Sequence, residues 1–370
     1  MPAVKIILDA LPAPGKIKYR DKCRIEEWQG PVFCTNFACP GSGTDRGMAF
    51  CTYQTDCLKK TIFAQNSNHF TLYIFNKSAE ASAYVSGEQA KGHTVAFVPT
   101  MGALHDGHAS LIELARQKAN LVVCSIFVNP TQFTEKQDYE KYPSTLEEDK
   151  EMLIKAGCDL LFLPAAAEIY PYGPVRQAPF DFSPLDRVME AVHRPGHFDG
   201  MAQVVKILLD IIHPDFLLMG QKDFQQQLIV KKLVKWMGIH TEVITCPIIR
   251  EKNGLAMSSR NRRLSDKMRN EAGSIAQAIL YAADKIKNAD KNTDEQSGYS
   301  IRYARIEEIE REATKMINSS GNIEVEYFEI ADINDLSPLK KIPVKGDIVI
   351  CTAVRTEGVR LIDNMILSLD

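Results

Sequence analysis

The sequence predicts an α/β protein: a mainly parallel sheet carries the chemistry, and a smaller α+β domain follows it. Three observations lead there. From residue 71 to residue 250, short apolar runs alternate with helical stretches, the pattern of a parallel sheet with right-handed crossovers. The segments richest in reactive side chains, PTMGALHDGH, NPTQF and GQKDFQQ, each begin where such a run ends. Parallel sheets bind ligands there, beyond the carboxyl ends of their strands. After Arg250 the texture changes to longer helices and strand-like alternation.

Taken in order, residues 72–75 predict a first strand, and Asn76 or Ser78 caps a helix over 79–90 that stops at Gly92. Residues 95–98 form a buried strand broken by the Pro99 turn, and 109–116 supply helix formers with one apolar face. Residues 121–128 are strongly β-type and halt at Asn129-Pro130. A helix over 146–156 ends at Gly157, and 160–163 is a strand. Helix 201–212, strand 216–220, helix 224–237 and strand 242–244 follow. Beyond a boundary near 247–255, residues 268–287 predict one long helix, 289–298 a polar loop and 302–318 another helix. Residues 325–330, 348–354 and 359–364 read as antiparallel strands. The expected division is 71–247 and 248–370.

Residues 1–70 are different. They hold five of the nine cysteines (Cys23, Cys34, Cys39, Cys51, Cys57) in loop-like tracts with no sustained period. No CxxC pair occurs and the spacings suit no common zinc finger, so the segment is expected to be an extension outside the working fold. The composition, 45% hydrophobic and 25% charged, is that of an ordinary globular protein. A net charge of −3 gives no overall attraction for nucleic acid or an anionic membrane. No apolar run approaches the roughly 20 residues of a spanning helix. Asp9 interrupts the apolar N-terminal stretch, which makes a poor secretory signal. Cys124, Cys158, Cys246 and Cys351 stand singly among apolar neighbours, as reduced thiols of a cytoplasmic protein do.

His105 and His108 flank Gly107 in a strand-to-helix turn, a geometry that aims backbone N–H groups at an anion. No carboxylate or cysteine set completes a tight metal site around them, and a glycine-rich polar turn is an odd place for core histidines. Phosphate binding and proton transfer suit them, with a cationic imidazole stabilising charge on a departing pyrophosphate. Lys222, in GQKD, suits a point charge against a phosphate chain, and Asp223 an acceptor for ribose hydroxyls. One amide of Gln225, Gln226 and Gln227 is expected to face the site. The segment MSSRN reads either as a mobile triphosphate clamp or as a polar linker between domains. Asn129 and Gln132, beside Phe127 and Phe133, suit a small hydroxylated carboxylic acid, because amides both donate and accept. Glu148 and Asp149 are candidate Mg²⁺ ligands within a stretch whose other charges suit a solvated helical face.

Together, PTMGALHDGH, FVNPTQF, GQKDFQQ and REKNGLAMSSRN resemble, in order and spacing, the pantothenate synthetase (pantoate–beta-alanine ligase) family. HDGH is similar to the HIGH-type signature of the nucleotidylyltransferase and class I synthetase superfamily, and MSSRN to its KMSKS-type loop. The resemblance covers about residues 72–370. It implies a Rossmann-like domain, a small C-terminal lid, a homodimer and a two-step reaction. Pantoate carboxylate attacks the ATP α-phosphate to give pantoyl adenylate and pyrophosphate, and the amine of β-alanine then displaces AMP.

The resemblance also implies site residues. ATP falls to Met101, Gly102, Ala103, Leu104, His105, Asp106, Gly107 and His108, with His108 donating a proton and His105 its partner on the phosphates. Gly220, Gln221, Lys222 and Asp223 take ribose and phosphates, and Ile249 meets adenine through its backbone. Met257, Ser258, Ser259 and Arg260 close over the triphosphate, whose charge Lys222 and Arg260 offset. Gln132 binds pantoate and meets β-alanine, Gln226 holds pantoate, and Mg²⁺ is the expected metal. The chain departs from the family twice. Ser144 follows Tyr142-Pro143 where arginine is usual. Family chains also begin near the first strand, so residues 1–70 are expected to reflect a start codon placed too far upstream.

Overall fold

Six strands make one parallel sheet: β1 (Tyr73–Phe75), β2 (Val95–Thr100), β3 (Leu121–Ile126), β4 (Leu160–Phe162), β5 (Phe216–Gly220) and β6 (Glu242–Cys246). Their spatial order is β1-β4-β3-β2-β5-β6, every pairing parallel. The structure is a computed structural model that describes residues 71–174, 180–289, 291–293, 300–302 and 305–369. The N-terminal extension lies outside the described residues.

The alternation of side chains along each strand builds two cores. On β2, Val95 and Phe97 join a cluster with the helices Ser78–Gln89, His197–Ile212 and Phe224–Met237. Ala96 and Val98, pointing the other way, join a cluster with the helices Asp106–Lys118 and Leu146–Ala156. A sheet covered on both faces needs strands apolar on both sides, and β2 and β3 are. After β2 the chain turns towards β3 on one side; β5 lies on the other. The crevice at the ends of β2 and β5 is therefore the switch point of the sheet, where open α/β folds place ligands.

Downstream come β7 (Lys291–Thr293), β8 (Ser300–Arg302), β9 (Glu324–Asp332), β10 (Ile342–Pro343), β11 (Gly346–Thr356) and β12 (Val359–Leu369). The main C-terminal sheet is antiparallel, β12-β11-β9. One of its faces (Ile348, Ile350, Leu361, Leu367) packs on the helices Gly273–Lys287 and Ile306–Asn318. From the other, Val349, Cys351 and Ala331 join the first core of the parallel sheet.

The structure departs from the sequence expectation in several elements: β2 runs through Pro99 to Thr100, and the helix expected from 302 begins at Ile306, after β8. The long helix expected over 268–287 is two, Asp266–Glu271 and Gly273–Lys287. Asn253 Nδ2 donates to Arg269 O at 2.7 Å, capturing a carbonyl of the first helix. A Cβ on Gly273 would lie 2.7 Å from Asn253 O, so glycine permits this close approach. The polar stretch 289–298 includes the short strand β7 and otherwise lies largely outside the described residues. The strand expected to stop at Asn364 runs on to Leu369.

Candidate active site

A cleft of about 1250 Å³, counting space open to solvent, lies at the switch point between β2 and β5. Its floor begins with the turn after β2. Thr100 Oγ1 donates to Ser125 O (2.8 Å) and accepts from Gly102 N–H (3.2 Å). Gly102 and Ala103 then take left-handed backbone, φ +80° and +49°. That conformation is held by Asp149, 2% exposed, whose carboxylate accepts the N–H groups of Ala103 (2.9 Å) and Leu104 (2.7 Å) and the hydroxyl of Thr145 (3.0 Å). Asp149 is thus the anchor of the turn, which corrects the reading of it as a metal ligand: its oxygens are already engaged. Glu148 is exposed and faces Arg262 at 3.4 Å.

The two histidines cap the helix Asp106–Lys118. His105 Nδ1 accepts from Gly107 N–H (3.2 Å), and His108 Nδ1 accepts from His105 N–H (3.3 Å). Accepting at Nδ1 puts the proton of each neutral ring on Nε2. The rings lie 4.1 Å apart, centroid to centroid. Burial, with His108, Lys222 and Arg262 nearby, pushes His105 down to about 2. Burial and Lys222 push His108 down to about 4. With no phosphate in the cleft both rings are thus held neutral at pH 7 and offer Nε2–H donors; the cationic imidazole expected against a departing pyrophosphate requires that anion's charge to raise them.

Across the cleft, the turn after β5 brings Lys222, whose Nζ lies 3.3 Å from both Asp223 oxygens. Of the three glutamines that follow, Gln226 lines the cleft. Gln225 is tied to Leu185 O, Val188 O and Glu190 N–H, and Gln227 to Met219 O and Thr245. From the far end of β3, Asn129 Nδ2 donates to Gln132 Oε1 (3.1 Å), fixing the Gln132 amide before any ligand arrives.

The segment after β6 closes the wall. Ile249 O accepts from Met257 N–H (2.9 Å), which pairs this segment with the one leading to Arg260. Ser258 caps the short turn Ser259–Arg263 through Arg260 N–H (3.3 Å). Ser259 is buried and donates to Ala103 O (2.8 Å), which staples this segment to the histidine turn. The Ser259 hydroxyl is thus committed to the protein, while Ser258 and Arg260 of the same segment line the cleft. Arg260 bonds Asp138 through Nε (3.3 Å) and Nη2 (2.6 Å), and lies over the Tyr142 ring at 5.5 Å.

Met101, His105, Gly107, His108, Gln132, Gly220, Lys222, Asp223, Gln226, Ile249, Met257, Ser258, Ser259 and Arg260 all line this one cleft. Five carried-over residues do not. Gly102, Ala103 and Leu104 are buried beneath the turn, Asp106 points to solvent, and Gln221 faces β12. Residue-level reading also missed a second layer behind Gln132. His197 Nδ1 lies 2.7 Å from Gln132 O, and Arg194 Nη1 lies 3.0 Å from His197 Nε2. Arg194 also faces Glu190 (3.8 Å), which Arg360 of β12 grips with both Nη atoms (2.6 and 2.7 Å). Burial alone would raise the Glu190 carboxyl, but the Arg360 bonds and charge, with Arg194 and Tyr327, hold it at about 2. The stretch RPGHFDG, with a histidine and glycine opening a helix, was the signal for this layer.

Residues 73–366 match the family model described as Pantoate-beta-alanine ligase. The pantothenate synthetase of Cytophaga hutchinsonii is 42% identical over 286 residues, 77% of this chain and 96% of its own length. That of Porphyromonas gingivalis is 41% identical over 293 residues, 79% of this chain and 98% of its own. Among solved structures, pantothenate synthetase from Thermus thermophilus is 36% identical with a TM-score of 0.69, covering 79% of this chain and 98% of that one. Pantoate-beta-alanine ligase from Francisella tularensis, complexed with beta-gamma ATP and beta-alanine, is 35% identical with a TM-score of 0.62, covering 79% and 96%. This chain belongs to the pantoate–beta-alanine ligase family.

Proposed function

We propose that this cleft joins pantoate to β-alanine in two steps at the expense of ATP, within pantothenate biosynthesis. A pantoate carboxylate oxygen attacks the α-phosphorus, and the bond to pyrophosphate breaks. The amine of β-alanine then attacks the acyl carbon of pantoyl adenylate, AMP leaves, and the amine's surplus proton passes to solvent. The observation that carries this reading is the meeting, around one cleft, of two fixed Nε2–H donors, Lys222, the pre-set amide of Gln132 and the amide of Gln226. A triphosphate fits the first group and a hydroxy acid the second.

The residue roles follow from position. His108 and His105 donate Nε2–H hydrogen bonds to phosphate oxygens, and Lys222 supplies the positive charge that the neutral imidazoles lack. Arg260, held by Asp138, offsets the triphosphate from the opposite wall. Asp223 and the Ile249 backbone take ribose and adenine; Gln132 and Gln226 orient pantoate. Mg²⁺ enters on the triphosphate. Among the described residues no three potential ligands gather as a cage, and Asp149 is committed to Ala103 and Leu104. Chelation should therefore abolish turnover without lowering the melting temperature of the free enzyme, and added Mg²⁺ should restore it. The buried free thiols Cys124, Cys158, Cys246 and Cys351 support a cytoplasmic setting. A homodimer is proposed on the family resemblance, and light scattering would test it.

The deciding assay measures AMP and pyrophosphate with pantoate, with and without β-alanine. Sustained AMP release should require all three substrates. Absence of AMP from the complete mixture overturns the reading, and pyrophosphate turnover indifferent to β-alanine would mark a nucleotidylyltransferase instead. His108→Ala should lower turnover by at least ~10²-fold.

A further inference from the structure

We infer that Asn364, on β12 and remote in sequence from every motif, is a positioning residue for Lys222. The inference rests on the reading of Lys222 as the phosphate-facing cation. Lys222 sits in the single turn Gln221–Asp223, which leads straight into the helix Phe224–Met237. Asn364, 3% exposed, braces that turn from β12. Its Nδ2 donates to Gln221 O (3.0 Å) and Lys222 O (2.9 Å), and its Oδ1 accepts from Gln221 Nε2 (3.2 Å). All three bonds go to two consecutive residues of the turn.

Asn364 is itself held from behind. Its N–H donates to Asp363 Oδ1 (2.7 Å), and the Asp363 carboxylate is forked by Arg250 at 2.6 and 2.9 Å. Arg250 also donates to Gly254 O (3.0 Å), in the turn that leads to Met257 and Arg260. Two adjacent residues of one strand thus hold the turn behind Lys222 and the base of the opposite wall.

The electrostatic consequence is specific. A carbonyl oxygen is the negative end of a dipole, and Asn364 Nδ2 engages the two that flank the Lys222 side chain. Without it both carbonyls lose their side-chain donor, and the Lys222 ammonium on the same turn becomes a competing donor that they would draw out of the cleft. Buried acceptors do not stay unpaired.

Asn364→Ala, with the fold checked by circular dichroism, should lower kcat/KM for ATP about ten- to a hundredfold. Asn364→Asp should lose more, because a carboxylate would face two carbonyls. A merely structural role is separated by a double variant: in a Lys222→Ala background, Asn364→Ala should change kcat/KM by less than about threefold, since both act through one group. A second readout needs no substrate. Competitive acylation of lysines, read by mass spectrometry, should show altered labelling of Lys222 in the Asn364→Ala protein and unaltered labelling of the exposed lysines elsewhere. Asn364→Ser, which keeps one donor, takes the same tests should the alanine variant not fold, with smaller effects expected. Wild-type labelling of Lys222, or losses that multiply in the double variant, overturns the inference. Altered labelling in an enzyme that makes no AMP would overturn the functional reading and leave the Asn364–Lys222 coupling standing.

Discussion

Gly107 is small because His105 is where it is. A Cβ at that position would lie 2.9 Å from both Cε1 and Nδ1 of the imidazole, so any side chain displaces the ring. Gly107→Ala should therefore lower kcat by more than tenfold while leaving the melting temperature within a few degrees, measured side by side. Asp149 makes the complementary case. Asp149→Asn loses charge-assisted bonds to Ala103 and Leu104 N–H, so it should destabilise the fold by ~2 kcal/mol and raise KM for ATP. Its Mg²⁺ dependence should be unchanged; a shifted Mg²⁺ midpoint would restore the metal-ligand reading. At this scale HDGH, GQKD and NPTQF were legible because each stands at the end of an apolar run. The charge state of the histidines was not, since desolvation depends on what packs over a ring and Lys222 arrives from a distant strand.

The helix His197–Ile212 shows how an element sets the site. Gly200 lies against Thr131, and a Cβ there would come 2.3 Å from Thr131 O. Asn129 Nδ2 donates to Gly200 O at 3.1 Å across the same contact. Gly200→Ala must push this helix off the Pro130–Gln132 turn, destabilising the protein by ~2–3 kcal/mol in urea unfolding and raising KM for pantoate. The strands of the parallel sheet were readable because apolar runs bounded by glycine and proline leave few alternatives. The break at Ala272 was not, because a side chain from another segment, Asn253, makes it. Asn364 was hidden for a related reason: it is one residue in an ordinary strand, and its partners lie 142 and 143 residues away.

For the whole molecule, the C-terminal sheet is anchored as well as seated. Arg360–Glu190 and Arg250–Asp363 both join it to segments around the cleft, and its inner face shares the first hydrophobic core. The same burial makes stability depend on pH in two windows. His105, His108 and His197, all pushed down chiefly by burial, sit at about 2, 4 and 3 in the folded chain. As pH falls through the ordinary histidine range, ~6.5, the unfolded chain takes up protons and the folded one does not. Their contribution is thus full above that range and lost below it, at up to ~1.4 kcal/mol per pH unit for each ring. Glu190, held at about 2, stabilises above the ordinary carboxylate range and loses that contribution only as pH falls from there towards 2. Melting temperature should begin to drop between about pH 6.5 and 5, before carboxylates titrate. A flat profile across that interval would contradict neutral burial of the histidines.

The cap at His105 and His108 works as an interlock. Each Nδ1 closes the helix by accepting an N–H, so a proton on that nitrogen would set donor against donor. Charging either ring therefore means unlatching the first turn of the helix Asp106–Lys118. Acid should be felt there first, as loss of hydrogen-exchange protection at the His105 and Gly107 amides while the rest of that helix stays closed.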